Sequence, residues 1–329
     1  LIWVGSDDGL IHLTKDGGAT WENVTPKKMP DWMMINSIDA SSFDSGTAYI
    51  AGTRYKLGDF TPYLYVTDDY GKNWKLITDG IKDEHFTRVL RSDKVNKNIL
   101  YAGTETGMYI SYDRGNSWNE FQKNLPIVPI TDLTIKDNSL IVATQGRSIW
   151  MIDDLTVFHQ LTPSTDQIKL YKPKDSYRMG GAGGRKSLTA GTNLPNGAII
   201  HYFIPNYDKE NDQVSLSIHS SDGTLIKEFS DKSKENLLKV KNGGNSFVWN
   251  MKYPGAKRLD NMVLWGADFT GAKAVPGNYI VKLKVNDTEM TQEFTIHKDP
   301  TSEGSIDDIK AQFEFVNEIN GVVDKAHKA

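Results

Sequence analysis

Three eight-residue segments of the chain share one pattern, and this repeat restricts the possible folds more than any other feature of the sequence. The segments are TKDGGATW at residues 14–21, TDDYGKNW at 67–74 and SYDRGNSW at 111–118. Each has Ser or Thr first, Asp third, Gly fifth and Trp last. Recurrence at intervals of roughly 40–50 residues is typical of repeat architectures, in which each copy is one supersecondary unit.

Each of these segments lies between stretches with the composition of β-strands. Before it come two β-prone runs joined by a glycine-containing turn, as in WVGSDDGLIHL and YAGTETGMYI, and after it comes a further strand candidate such as ITDLTIK. The interval between the first two copies is lengthened by an insertion at residues 54–63. Four short strands per repeat predict the blades of a β-propeller. A fourth copy ends in IWMIDDLTVF, where Asp154 takes the position of the acid but the Gly and the Trp are missing.

The residue types of the repeated segment suit a hairpin turn. An Asp can accept hydrogen bonds from main-chain N–H groups further along the turn, and a Gly supplies a position with positive φ. A Trp that opens the next strand is a large apolar plate that can pack between neighbouring blades. We therefore expect a structural role for nine residues: Asp16, Gly18, Trp21, Asp69, Gly71, Trp74, Asp113, Gly115 and Trp118.

On these motifs, residues 1–163 resemble the C-terminal blades of an Asp-box (BNR) β-propeller of the sortilin-like, bacterial "glycosyl hydrolase BNR repeat" type. The stretch ATQGRSIWMIDDLT resembles the end of the propeller in that family. The resemblance extends over nearly the whole chain, but the chain corresponds only to the C-terminal part of a family member. It implies that missing N-terminal blades, or a second chain, complete the propeller. It also implies a secreted or cell-envelope protein, in the periplasm or on the outer-membrane surface.

The second half of the chain lacks the repeated segment. A glycine-rich linker at residues 178–197 precedes alternating strand candidates with turn signals such as Asp222–Gly223. Several short strands at regular intervals predict an Ig-like β-sandwich at residues 164–300, with Trp249 and Tyr279 in its core. The runs SSDGTLIKEF, NSFVWNMKYPGA and VPGNYIVKLKV resemble the flagellar hook-capping type of Ig-like domain, which follows the propeller in this family.

Residues 301–329 are predicted to form an amphipathic helix with Ser305 as its N-cap. Apolar residues at steps of three and four predict one apolar face, made of Ile306, Ile309, Phe313, Val316, Ile319 and Val323. The helical region continues in family members, so the resemblance implies a helix that extends beyond the chain end. The predicted fold class is therefore mainly β, with four visible Asp-box blades, an Ig-like β-sandwich and a C-terminal amphipathic helix.

Composition excludes several classes of function. Lys and Arg total 38 against 42 Asp and Glu, and the charges are interspersed, so the basic face expected of a nucleic-acid-binding protein is missing. The absence of cysteine excludes disulfides and thiolate zinc sites. No apolar run reaches the roughly 20 residues of a membrane span. The seven histidines show no metal-binding spacing, so we expect neither a metal nor a cofactor, and nothing requires a loop-bound calcium ion.

Candidate site residues lie in the loops of the predicted blades. Glycoside hydrolases use two carboxylates across a cleft, or, in sialidases, a tyrosine nucleophile with acids and an arginine cluster. The acids of the repeated segments are expected to be committed to their own turns. The remaining candidates are Asp7, Asp8, Tyr55, Asp59, Phe60 and Glu105. Alignment of the loops GSDDG and GTETG predicts that Asp7, Asp8 and Glu105 lie on one side, although they would also suit solvated turns.

Two functions are compatible with these residues. The first is a noncatalytic secreted or cell-envelope protein that binds a protein, peptide or glycan, or serves as a scaffold. The alternative is a glycoside hydrolase whose active site is completed by missing N-terminal propeller blades. A purely structural spacer is a third possibility. Because no complete catalytic set is present in the sequence, the binding function is favoured and enzymatic activity stays open.

Overall fold

A computed structural model describes residues 1–161, 166–180, 193–259, 262–263, 266 and 269–328. The chain divides into two compact units, Leu1–His159 and Gln160–Ala329. The predicted domain boundary between residues 163 and 164 lies outside the described residues, as does most of the predicted glycine-rich linker, residues 181–192.

Residues 1–159, all of which are described, form four antiparallel sheets, which we call blades 1 to 4. Blade 1 contains β1 (Ile2–Gly5), β2 (Ile11–Thr14) and β3 (Glu22–Asn23). Blade 2 contains β4 (Met34–Ala40), β5 (Ala48–Arg54), β6 (Asp59–Thr67) and β7 (Lys75–Leu76). Blade 3 contains β8 (Thr87–Ser92), β9 (Leu100–Thr104), β10 (Gly107–Ser111) and β11 (Asn119–Glu120). Blade 4 contains β12 (Ile130–Lys136), β13 (Ser139–Thr144) and β14 (Ile149–Ile152).

In every blade, strands that are adjacent in sequence are paired with each other. Blades 2 and 3 have the full set of four strands, whereas blade 1 has counterparts of the last three and blade 4 has counterparts of the first three. Two 3-10 turns, Tyr55–Leu57 and Phe158–Gln160, accompany them.

Consecutive blades share hydrophobic cores, because both faces of an inner sheet are apolar. The core between blades 2 and 3 contains Tyr49, Leu64, Ile77, Leu90, Leu100, Tyr109 and Trp118. Equivalent cores lie between blades 1 and 2 and between blades 3 and 4. Burial of this apolar surface is the main favourable term in folding. The mainly β fold with propeller blades predicted from the sequence is confirmed.

The three Asp boxes are self-contained turns. In the third box, the Asp113 carboxylate accepts hydrogen bonds from the main-chain N–H and the hydroxyl of Ser117, at 2.8 and 2.6 Å. The hydroxyl of Ser111 donates to the same carboxylate at 2.8 Å and accepts from the N–H of Gly115, also at 2.8 Å. The first and second boxes repeat these bonds around Asp16 and Asp69.

The second unit contains two sheets that enclose one core. One sheet has the order β15 (Lys169–Leu170), β17 (Ala198–Ile204), β20 (Gly243–Trp249). The other has the order β16 (Ser176–Arg178), β22 (Thr288–Lys298), β21 (Gly277–Val285), β18 (Val214–Ser220), β19 (Leu225–Ser230), and its β16–β22 pair is parallel. Both sheets contribute to the shared core. Trp249 is fully buried, and its ring lies 5.7 Å from that of Tyr279.

The helix α1 spans Ile306–Lys328. Its first turn is closed by Ser305 and Asp308, since each side chain accepts a hydrogen bond from the other residue's main-chain N–H. Ile309 is buried and the Phe313 ring lies 4.8 Å from that of Tyr253, but Ile306 and Ile319 are nearly half exposed. The predicted apolar face is therefore only partly covered. No helix among the described residues has the length and apolar character needed to cross a membrane.

Candidate functional site

The candidate loop residues lie at one end of the sheets and the Asp boxes at the other. Chain direction alternates in an antiparallel sheet, so successive hairpin turns lie at opposite ends. Asp7 and Asp8 lie in the β1–β2 turn, Tyr55 in the β5–β6 turn and Glu105 in the β9–β10 turn, which are equivalent positions in successive blades. The boxes occupy the following turn of each blade.

A cavity of about 280 Å³ lies at this loop end, between blades 1 and 2. Its wall contains three of the candidate residues, Asp7, Asp8 and Tyr55. The remaining lining residues are Trp32, Met34, Thr53, Arg54, Lys56 and Leu57. We call this space the loop-end cavity. It combines two adjacent carboxylates with two aromatic rings.

The carboxylates of the β1–β2 turn are exposed. The hydroxyl of Ser6 donates to Asp8, and the same hydroxyl accepts from the main-chain N–H of Leu10 at 2.9 Å, which fixes the turn. The Asp7 carboxylate makes no hydrogen bond or ion pair within the part of the chain that the structure describes. This turn therefore presents negative charge to the cavity.

Trp32 is the most unusual residue in the cavity wall. Its side chain is 69% exposed, and its φ is +59°, a left-handed conformation that costs free energy for a bulky residue. It lies in the connection between β3 and β4. Large exposed aromatic side chains are typical of binding surfaces rather than of folding cores.

Asp59 is committed to an ion pair beside the cavity. Its carboxylate accepts from Arg54 Nη1 at 2.7 Å and from the Tyr63 hydroxyl at 2.9 Å. Burial alone would raise the pKa of Asp59, but hydrogen bonds from Thr61, Tyr63 and Arg54 outweigh it and lower the pKa to about 2. The Arg54 Nε donates to the carbonyl of Asp31 at 3.0 Å, so this guanidinium is also occupied.

The other candidates surround Phe86. The Tyr55 ring is stacked on Phe86 with 5.2 Å between centroids, and Phe60 lies 6.0 Å from it. The Arg88 guanidinium lies over the rings of Tyr55 and Phe86, at 5.6 and 5.3 Å. Arg88 also pairs with Glu105, with two nitrogens at 2.5 Å from the same carboxylate oxygen. The loop residues thus form a connected surface, with Tyr55 shared between the cavity and this cluster.

Two of the four candidate carboxylates are therefore held by arginines, and the other two are neighbours in one turn. No facing pair of free carboxylates, as a glycosidase requires, is formed by the candidate residues. Among the described residues, no group of three or more His, Asp or Glu side chains is arranged to hold a metal ion.

Sequence reasoning missed Trp32, Phe86 and Arg88. Phe86 and Arg88 lie around the start of β8, outside the aligned turns, and Trp32 lies in a connection that has no repeated motif. The sequence signal in that connection is a tryptophan that follows a proline by two residues, Pro30 and Trp32.

A family model described as sortilin, neurotensin receptor 3 (Sortilin-Vps10) matches residues 62–180. This range contains the second and third Asp boxes and agrees with the predicted Asp-box propeller type. No curated protein matches the chain.

Solved structures similar to this chain include propeller-like proteins of two kinds. One is YCF48 bound to D1 peptide, at 21% identity and a TM-score of 0.36, covering 46% of this chain and 47% of that chain. Another is the GH74 xyloglucanase from Xanthomonas campestris, at 16% identity and a TM-score of 0.37, covering 61% of this chain and 34% of that chain. A third is the Niastella koreensis GH74 enzyme, at 14% identity and a TM-score of 0.34, covering 60% of this chain and 27% of that chain. The chain thus spans less than half the length of each.

Proposed function

We propose that the protein is a noncatalytic binding module that holds a basic side chain of a peptide or protein ligand in the loop-end cavity. The observation that carries this proposal is the presence of Asp7 and Asp8 in the same cavity wall as the exposed indole of Trp32. A Lys or Arg side chain is recognised by carboxylates through charge-assisted hydrogen bonds and by aromatic faces through cation–π contacts. A cavity that supplies both groups suits such a side chain.

The charges of the cavity wall support a cationic ligand. Arg54 is neutralised by Asp59, so it does not offset the β1–β2 turn. Lys56 is exposed and can move into solvent without breaking a contact within the described residues. The cavity wall therefore carries two carboxylates, Asp7 and Asp8, and one ammonium group, Lys56, so its net charge is negative.

The alternative, a glycoside hydrolase completed by further blades, has weaker support. A general acid needs a raised pKa, but the pKa of Asp59 is lowered to about 2. Glu105 is engaged by Arg88. Neither Asp59 nor Glu105 is therefore suited to be one of the two catalytic carboxylates, and other residues would have to supply both. A binding function needs only the residues already in the cavity.

We also propose that a further Asp-box blade covers blade 1. Trp74 and Trp118 each donate an indole hydrogen bond to the preceding blade, at 2.7 Å. Trp21 occupies the same position in blade 1 but is 45% exposed, and Ile2 and Val4 of the same blade are also exposed. A further blade would cover these exposed apolar side chains and accept the Trp21 hydrogen bond.

Two further proposals concern context. The two sheets and common core of the second unit are compatible with an Ig-like domain that spaces the propeller from its surroundings. The resemblance of the Asp boxes to those of secreted proteins supports a location in the cell envelope or outside the cell. Fractionation of the native host tests the location.

The binding function is tested with pairs of fluorescein-labelled peptides that carry either Lys and Arg or, at the same positions, norleucine and Gln. We expect the basic peptides to bind the full chain and the neutral ones to bind at least about tenfold more weakly. Asp7→Asn, Asp8→Asn and Trp32→Ala should each reduce affinity. Asp137→Asn, which removes an exposed acid from the β12–β13 turn, is the matched control and should not.

Equal binding of basic and neutral peptides would contradict the proposal. Release of reducing sugar from a xyloglucan or sialoside, abolished by Asp7→Asn, would instead establish the hydrolase. Binding of neutral oligosaccharides without cleavage, dependent on Trp32, would replace the basic side chain by a sugar ring as the ligand.

A further inference from the structure

A second cavity, of about 740 Å³, lies at the outer edge of blades 1 and 2, towards the Asp-box end. It extends between β3 and the second Asp box. Its lining residues are Glu22, Asn23, Val24, Thr25, Pro26, Lys27, Lys28, Tyr65, Gly71, Lys72, Asn73, Trp74 and Leu76. We call it the rim groove. It is distinct from the loop-end cavity and shares no lining residue with it.

The equivalent junction between blades 2 and 3 is closed by the chain itself. There the main-chain N–H of Trp118 donates to the carbonyl of Asp79 at 2.9 Å. Gly80, with φ of +90°, follows, and a Cβ atom on it would overlap the main-chain oxygen of Trp118. Lys75 also crosses the junction and donates to Asn116 at 2.6 Å. An Asp-Gly segment in close contact with the box tryptophan therefore fills this position.

The junction between blades 1 and 2 lacks each of these contacts. Pro26 and Lys27 stand where Asp79 and Gly80 stand in the next blade. Because Lys27 has a side chain, it cannot make the close approach that Gly80 makes. The Pro26 carbonyl accepts instead from the N–H of Met29, at 3.0 Å.

Two polar features of the groove are consequently without partners. The main-chain N–H of Trp74, equivalent to that of Trp118, makes no hydrogen bond within the part of the chain that the structure describes. The ammonium groups of Lys27, Lys28 and Lys72 likewise make no ion pair there. Glu22, the acid in the lining, is paired with Lys15 at 3.5 Å.

We propose that the rim groove binds an acidic segment of another polypeptide, with an Asp-Gly or Glu-Gly dipeptide in the turn conformation that Asp79–Gly80 adopts in the next junction. The carbonyl of the acidic residue would accept the free N–H of Trp74. Its glycine would provide the close approach that Lys27 prevents. Acidic side chains on either side would face the three lysines, which gives charge complementarity along the groove.

The occupant is a peptide rather than an acidic polysaccharide because the groove reproduces a main-chain contact. In the neighbouring junction the group that satisfies the tryptophan N–H is a peptide carbonyl beside glycine. The volume of the groove is also within the usual range of ligand sites.

The test uses the full chain and a labelled octapeptide of alternating Asp and Gly, measured by fluorescence anisotropy at low salt. Two probes of the same length serve as comparisons, one of alternating Asn and Gly and one of alternating Asp and Ala. We expect each comparison peptide to bind about tenfold more weakly, because the first lacks charge and the second lacks glycine. The Trp74 amide resonance should shift on titration with the Asp-Gly peptide.

Two variants link binding to the groove. Lys72→Glu should weaken binding at least about tenfold, whereas Lys97→Glu, an equal change of charge on the β8–β9 loop, should not. The double variant Pro26→Asp/Lys27→Gly should close the groove with the chain's own residues and also abolish binding. Circular dichroism establishes that each variant is folded.

Unchanged binding in Lys72→Glu, or a Trp74 amide that does not shift, would overturn the proposal. Polygalacturonate that binds as tightly as the Asp-Gly peptide and depends on the same lysines would replace the peptide by a polyanion. Neither result bears on the loop-end cavity, whose ligand has the opposite charge.

Discussion

The indole N–H of Trp118 donates to the main-chain carbonyl of Ile77 at 2.7 Å, and this bond joins blade 3 to blade 2. Trp74 makes the corresponding bond to Val24, also at 2.7 Å. The last residue of the second and of the third Asp box therefore belongs to the junction with the preceding blade. The Trp118 side chain is only 4% exposed, so the bond is made inside the shared core.

Substitution of Trp118 should therefore destabilise the propeller unit through two contributions, a lost hydrogen bond and a cavity, which two variants separate. Trp118→Phe keeps most of the apolar surface but leaves the Ile77 carbonyl unpaired, which should lower the free energy of unfolding by about 1–3 kcal/mol. Trp118→Ala also leaves a cavity and should cost about 3–5 kcal/mol. Urea denaturation followed by tryptophan fluorescence measures both.

Trp21→Ala is the matched control, because Trp21 has the same position in its box but is 45% exposed. Its effect should be below about 1 kcal/mol. If Trp21→Ala and Trp118→Ala destabilised the protein equally, the junction would not be the source of the stability.

Alanine substitutions of box glycines should separate the cost of positive φ from the cost of close packing. Gly71 has φ of +81°, and a Cβ there would lie 2.6 Å from Val24 Cβ in the preceding blade. Gly18 has φ of +105°, but its nearest neighbour would be Trp21 at 4.0 Å. We expect Gly18→Ala to cost about 1–2 kcal/mol and Gly71→Ala to cost about 1–3 kcal/mol more. Equal losses in Tm would contradict this explanation.

Local patterns in the sequence predicted the parts of the fold that depend on local contacts. The Asp113 carboxylate is bound by Ser111 and Ser117 of its own box, so the motif contains the whole interaction. The equivalent turns of Asp7 and Tyr55 could be placed at one end of the sheets because hairpin turns alternate.

Contacts between residues that are distant in sequence could not be predicted in this way. The pairing of Arg88 with Glu105, and the resulting loss of a free carboxylate, depends on the register between β8 and β9 in blade 3. The rim groove depends on a two-residue difference between junctions, Pro26–Lys27 in place of Asp79–Gly80. The significance of that difference becomes visible only when the close approach of Gly80 to Trp118 is known.

The buried pair of Asp93 and His159 should make the stability of the propeller unit depend on acid pH. The Asp93 side chain is fully buried, and its carboxylate lies 2.9 Å from His159 Nε2. Burial alone would raise the pKa of Asp93, but hydrogen bonds from His159 and from the N–H groups of Asn96 and Val95 lower it. A lowered folded-state pKa means that this stabilisation is complete above the unfolded pKa of about 3.9 and is lost as the pH falls through the folded value.

Asp93→Asn preserves an oxygen acceptor for the two main-chain N–H groups but cannot titrate. The variant should be less stable than the wild type at pH 7, and its Tm should fall less steeply between about pH 4 and pH 2. Asp137→Asn, at an exposed site, should leave the slope unchanged. Parallel Tm curves for wild type and Asp93→Asn would show that other carboxylates determine the acid transition.

Trp32 should show opposite effects on stability and on binding. Its left-handed conformation, with φ of +59°, is costly for a bulky side chain, and its 69% exposure means that little apolar contact offsets the cost. Asn adopts this conformation more readily, so Trp32→Asn should leave the Tm unchanged or raise it slightly. The same variant should bind the basic peptides at least about tenfold more weakly, because the indole is lost from the loop-end cavity. Thermal unfolding and anisotropy on one sample measure both effects. A large loss of stability would mean that Trp32 is a packing residue, and unchanged affinity would remove it from the binding site.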